Sequence, residues 1–354
     1  MVCLRKIFRM RFIRTISAIL ISILFIWFIF KGADWVSIGK AISEVKFKWI
    51  FLAELTIILS MLMRVKRWKY VVDASQSIGF LILFNATQIG LMGNYILPGR
   101  LGEIIRALVL SKLSKFNFLR SLALVALDRL TDLMALFVVL IIAAVTFTPI
   151  DDIILPPEIY NAPIKADLVV KLAWGTAYIS IIIMAILSII FFGKDVLVRA
   201  LQSIINPFSK RFAKFMSKAI INFSAGLQIF SNKKLFLKAF IFSIFTWALM
   251  VLSYYFLFLA FDLHTHWTTY FVLTAFLAIA ISIPGAPGFI GQFHFAITVT
   301  IIALMPETNI DSARAVSIIA HLLNFIPAIL IGVYCLYSTK LDLFKLRTAS
   351  KDLT

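Results

Sequence analysis

The chain reads as an all-α, polytopic helical membrane protein with about six full spans and two interrupted, re-entrant helical hairpins. Three observations predict this. Apolar residues make up 62% of the 354 residues, mean hydropathy is +0.99, and only 15% of residues are charged. Apolar runs close to the roughly 20 residues that cross a ~30 Å hydrocarbon core recur along the chain. Two further apolar stretches are broken in the middle by proline and glycine. The longest polar stretch, 193–238, itself reads as helix, so no hydrophilic block is long enough for a catalytic domain. The expectation is a non-enzyme whose chemistry falls to intramembrane residues or to a partner.

The net charge of +18 invites a nucleic-acid reading, and its distribution argues against one. Of the 35 Lys and Arg, 25 fall in five clusters at 1–14, 64–70, 112–120, 193–238 and 340–354. Asp151, Asp152, Glu158 and Asp167 gather in the loop 148–167. That is the positive-inside pattern, so the basic clusters and both termini are placed in the cytoplasm and the acidic loop outside.

The first run, 15–30, follows five basic residues and ends at Lys31-Gly32-Ala33-Asp34 without an A-x-A site, so it is read as a retained span. The second, 47–63, is short, needs Lys48 and Arg64 to snorkel, and carries Glu54 with no partner nearby in sequence. The first broken stretch, 80–111, runs through Pro98, Gly99 and Gly102. Its second arm reaches only about 15 Å before Lys112, which favours a re-entrant hairpin. The spans 121–147 and 168–192 complete a first half, 15–192. Residues 194–234 repeat phenylalanine every three or four positions among lysines and arginines, the pattern of an interfacial amphipathic helix or a connector packed on the bundle. The second half, 235–340, holds spans 239–261 and 315–338 around a second hairpin, 267–305, broken by Pro284, Gly285, Pro287 and Gly288, whose arms of about 26 Å are also compatible with full spans. Gly288-x-x-Gly291 fits close helix packing. With both termini inside, the two hairpins enter from opposite faces, which predicts an inverted repeat; the alternative is a pair of unrelated kinks.

Charge inside such a chain is costly and marks a polar site by default. Arg100, Glu103 and Arg106 are spaced by three and can pair on a helix, with Asn94 just upstream. Asp128, Arg129 and Asp132 form a second group near the start of 121–147. Together they hold three cations and three anions that can neutralise one another. Arginine forks can also exchange a carboxylate for a phosphate, so the group reads as a headgroup site or as a salt-bridge clamp. Arg64 and Arg67, followed by Trp68, read first as interfacial anchors and second as headgroup contacts. Gln292 is a secondary candidate in the uncharged second hairpin, and His294 and His321 lie in apolar surroundings, as core residues or a proton relay. His264-x-His266 is a weak metal signal. The absence of Walker, G-x-S-x-G and H-E-x-x-H motifs leads to the expectation of no cofactor and no metal.

These residues carry a resemblance. Arg64-x-x-Arg67-Trp68, then Gly93-Asn94-Tyr95-Ile96-Leu97-Pro98-Gly99-Arg100-Leu101-Gly102-Glu103-x-x-Arg106, then Asp128-Arg129-x-x-Asp132, resemble the lysylphosphatidylglycerol synthase transmembrane-region family of flippase-like proteins. Ile283-Pro284-Gly285-Ala286-Pro287-Gly288 with His294, and His321 with Pro327, are similar to its later motifs. The resemblance implies a multi-pass inner (cytoplasmic) membrane protein that moves lipids between leaflets. The expected function is translocation of an anionic phospholipid or lipid-linked glycan, with Arg100 and Arg106 on the phosphate and Glu103, Asp128 and Asp132 as exchange partners. The rival expectation is a non-transporting scaffold for a lipid- or glycan-modifying enzyme. Partners would be membrane lipids and a separate glycosyltransferase or lipid-modifying enzyme, with no nucleic acid.

Overall fold

A computed structural model describes residues 20–97, 101–114, 116–146, 232–282 and 286–341, with scattered positions between 152 and 217. Pro98, Gly99, Arg100, Pro284 and Gly285 lie outside the described residues. So do both chain ends and most of 147–231, which includes the 168–192 run and most of the 194–234 segment.

Every described element is helical. They are α1 (Leu20–Phe30), α2 (Trp35–Ser43), α3 (Phe47–Asp73), α4 (Phe80–Ile96), α5 (Gly102–Leu113) and α6 (Phe118–Thr146). After the gap come α7 (Lys233–Ala260), α8 (Trp267–Ser282), a 3₁₀ turn (Pro287–Phe289), α9 (Gln292–Leu304) and α10 (Ile310–Thr339). Among the described residues, four stretches are long and apolar enough to cross a membrane: α6, α7, the 3₁₀ turn with α9, and α10.

The described part of the first predicted span does not run straight on. The chain turns 84° between α1 and α2. Gly32 takes a left-handed φ of 67° at the corner, and Asp34 caps α2, accepting from Val36 N at 3.0 Å and Ser37 Oγ at 2.6 Å. Buried Arg314 of α10 donates to the Ile29 and Lys31 carbonyls, at 2.7 and 2.9 Å, satisfying acceptors that the end of α1 leaves open.

The helix predicted to end at 63 continues to Asp73. Its extra turns carry Arg67 and Trp68, both fully buried, so tertiary partners take up charges that a span in lipid could not hold. α3 lies antiparallel to α7 along its length. Lys46 N donates to Ala260 O at 2.9 Å, Trp49 stacks on Phe256 at 5.9 Å, Ser60 meets Met250, and Tyr70 meets Phe242 at 5.4 Å. Lys46 Nζ also bonds Asp262 at 2.6 Å and holds that carboxyl below the ordinary carboxylate range.

The hairpin arms pack across the molecule in a reciprocal way. α4 and α5 pack on each other, as do α8 and α9. α5 then lies on α6, and α9 on α10. α4 crosses to α10, while α8 crosses to α6. One apolar core gathers around Val65, Trp68, Leu83 and Leu110, and a second around Tyr254, Leu273, Ile297 and Val316.

Candidate functional site

The first hairpin is close because its facing positions are glycine. A Cβ at Gly102 would stand 2.0 Å from the Gly90 carbonyl, and one at Gly93 would stand 3.1 Å from the Gly102 Cα. Asn94 of α4 then reaches the start of α5, accepting from Gly102 N at 2.9 Å and supplying the cap that Leu101 lacks. The first turn of α5 therefore points Glu103 and Arg106 at α6 with little freedom.

Glu103 and Arg106 pair with α6 rather than with each other. Arg106 Nη1 donates to Asp128 Oδ2 at 2.6 Å, and its guanidinium lies 3.6 Å over the Trp68 ring. Arg67 grips the same carboxylate with two donors, Nε to Oδ1 at 2.7 Å and Nη2 to Oδ2 at 3.1 Å. Its third donor, Nη1, bonds Asp132 Oδ1. Trp247 of α7 donates to that oxygen at 3.1 Å, bringing the second half of the chain into the network. Arg129 bridges outward, to Asp132 Oδ2 at 3.0 Å and to Glu103 Oε1 at 2.6 Å.

The network has a dry base and an open mouth. The Arg67, Arg106 and Asp128 side chains are at most 2% exposed, whereas those of Arg129 and Glu103 are 36% and 26% exposed. Arg64, one turn before Arg67, lies within electrostatic reach of Asp132 and Asp128, yet makes no ion pair among the described residues. Its Nε is buried without a hydrogen bond, as are Arg129 Nε and Glu103 Oε2. The described network thus holds four guanidiniums, those of Arg64, Arg67, Arg106 and Arg129, against three carboxylates, those of Glu103, Asp128 and Asp132. Among the described residues the network therefore carries one guanidinium more than it has carboxylates, and Arg64 is the one without an ion pair.

Sequence reasoning misplaced Arg67. It reads as an interfacial anchor, but it is the central cation. The overlooked signal is spacing: Ser60, Arg67 and Val71 all fall on the buried face of α3, so Arg67 turns inward with them. Trp247, a single tryptophan in an apolar run, carried no signal of its own.

The remaining candidates gather at the second hairpin. Gly288 and Gly291 have φ of 74° and 89°, conformations that favour glycine. They turn the chain from Pro287 into α9, where Gln292 and His294 occupy the first turn. Phe289 meets Tyr95 of α4 at 5.5 Å, so this tip touches the first hairpin. His321 Nε2 donates to Gly288 O at 2.7 Å, and the His294 and His321 rings lie 4.9 Å apart.

The sequence profile of the family described as "Lysylphosphatidylglycerol synthase TM region" matches residues 15–332. The chain belongs to that family. Membership in a lysylphosphatidylglycerol synthase TM-region family, together with the long apolar helices, makes it a multi-pass membrane protein with a lipid-related role. No curated protein matches the chain. The ion network and the tip of the second hairpin both fall inside the region that the family profile covers.

Proposed function

We propose that the chain is a lipid translocase that carries an anionic phospholipid or lipid-linked glycan between leaflets of the cytoplasmic membrane. In this reading six spans surround two re-entrant hairpins, both termini are cytoplasmic, and the two halves form an inverted repeat. The reciprocal packing of α4 on α10 and of α8 on α6 supports that symmetry. The meeting of Tyr95 with Phe289 supports a shared site where the two hairpins converge.

The observation that carries the proposal is a buried ion network that holds one guanidinium more than its carboxylates among the described residues, and whose Arg129–Glu103 end is partly exposed. Arg64 and Arg129 receive the headgroup phosphate. Glu103, which holds Arg129 through one oxygen, releases it as the phosphate arrives, so a phosphate able to bind bidentately takes the place of a single-oxygen contact and its charge offsets the excess guanidinium. Arg67, Arg106, Asp128 and Asp132 hold the mouth in shape and do not touch the lipid. The charged headgroup then travels along the protein while the acyl or prenyl tail stays in the bilayer. The chain acts without cofactor and catalyses no covalent step.

Charge reversal tests the assignment. Arg129→Glu in purified protein reconstituted with a fluorescent anionic phospholipid is expected to slow leaflet transfer by about tenfold or more, which corresponds to ~1.4 kcal/mol of lost interaction. Transfer at the native rate removes these residues from the pathway. No transfer by the native protein with any lipid tested favours the scaffold role, with a glycosyltransferase or other lipid-modifying enzyme as its partner.

A further inference from the structure

The second hairpin is held shut by two histidines that the headgroup site does not use. Both bonds have an unambiguous sense. Gly288 O can only accept, so His321 Nε2 carries the proton in their 2.7 Å bond. Gly291 N can only donate, so His294 Nδ1 presents a lone pair in theirs, at 3.4 Å. Together they fasten the two ends of the Gly288–Gly291 turn, the segment whose Phe289 touches Tyr95.

Among the described residues, the groups packed against the pair are aromatic rings and a backbone carbonyl, with no anion to balance a positive charge. α1 presents Phe30 to His294 and Phe25 and Phe28 to Phe295 of α9. α8 presents Phe276 to Phe295. From α9 and α10, Phe293 and Phe325 cover His321 at 5.2 and 5.6 Å. α4 offers Tyr95, which meets Phe289 and Phe325. The nearest charges on α10 are Arg314, two turns before His321, and Asp311; they bond each other, and Arg314 also bonds the Ile29 and Lys31 carbonyls. No carboxylate among the described residues pairs with either histidine; the electrostatic neighbour of His294 is His321.

We propose that His294 and His321 form a proton-binding site that latches the tip of the second hairpin, and that proton uptake frees the tip and couples a proton gradient to lipid movement. A proton adds to the His294 Nδ1 lone pair and turns the acceptor of Gly291 N into a second donor, so that bond is lost. The new imidazolium sits in the first turn of α9, where the helix dipole opposes a cation. It also faces a second imidazole 4.9 Å away with no anion between them. Each effect drives His294 and the tip apart. Phe289 then leaves Tyr95, and the route between the hairpins opens.

The coupling half of this inference rests on the translocase reading; the latch does not, and the test reads the latch directly. A nitroxide on Ile290→Cys, a position 40% exposed beside the tip, reports tip mobility by electron paramagnetic resonance in lipid nanodiscs. Lowering the pH from about 8 to about 5 is expected to convert an immobilised spectrum into one with a mobile component. His294→Asn keeps an acceptor for Gly291 N and cannot take up the proton, so its spectrum is expected to stay immobilised throughout. A native spectrum that does not change with pH overturns the proposal, as does an unchanged response in His294→Asn. A tip that loosens in a protein that moves no lipid sustains the latch and removes only the translocase reading.

Discussion

Arg67 and Arg129 sit in one ion network and are expected to fail in different ways. Arg67 is fully buried and answers Asp128 with two donors and Asp132 with a third. Arg67→Gln leaves two carboxylates short of a cation in a dry site, and breaking such a pair costs about 3–5 kcal/mol. Arg129 is 36% exposed, and water can replace its partners, so Arg129→Gln is expected to cost about 1 kcal/mol or less of stability. Thermal unfolding of the two purified variants in one detergent separates these outcomes, and equal losses would contradict the division into base and mouth. The sequence marks Glu103, Arg106, Asp128 and Asp132 because charge inside an apolar run has a cost that composition alone reveals. It hides Arg67 because the residue stands beside the basic cluster at a span end, where anchoring is the ordinary explanation. Partner choice is invisible for a further reason. Glu103 and Arg106 are local neighbours, but α6 offers each a better-placed partner, and only tertiary structure brings α6 there.

At the scale of the element, the hairpin α4–α5 works by backbone proximity. Gly90, Gly93 and Gly102 let two helices approach until a Cβ would overlap a carbonyl oxygen, and this closeness delivers Asn94 to the start of α5. Gly102→Ala is expected to part the arms, because the new methyl meets the Gly90 carbonyl and Asn94 Oδ1 with no flexible side chain to yield at the nearer contact. The stability loss should be at the upper end of the roughly 1–3 kcal/mol typical of overpacking. Asn94→Ala, which removes the cap and a long 3.5 Å bond to Glu103 Oε1, should cost about 1 kcal/mol. If Gly102→Ala melts no lower than Asn94→Ala, close packing is not what sets the site. The Pro-Gly breaks identify both hairpins from sequence, since each interrupts an apolar run with residues that end helices. The 84° turn between α1 and α2 is not legible in the same way. It depends on Arg314, nearly 300 residues along the chain, capping the carbonyls at the end of α1.

Across the whole molecule the antiparallel pair α3–α7 is the element about which the halves exchange contacts. The first arm of each hairpin packs on the helix that follows the other hairpin, α4 on α10 and α8 on α6. A dry base in one half then stands opposite a histidine latch in the other, and the two are joined where Tyr95 meets Phe289. This arrangement makes a topological demand that length and hydropathy do not. If the halves are inverted in the bilayer, the loop entering α4 and the loop entering α8 must lie on opposite sides. Ser77 and His266 are exposed residues in those loops. The positive-inside reading of the sequence leads to the expectation that Ser77 is cytoplasmic. Ser77→Cys is therefore expected to react with a membrane-impermeant maleimide only in inside-out vesicles, and His266→Cys only in intact cells or spheroplasts. Labelling of both from one side would leave two hairpins that enter the bilayer together. No inversion could then relate them, and a headgroup handed from one to the other would return to the leaflet it came from.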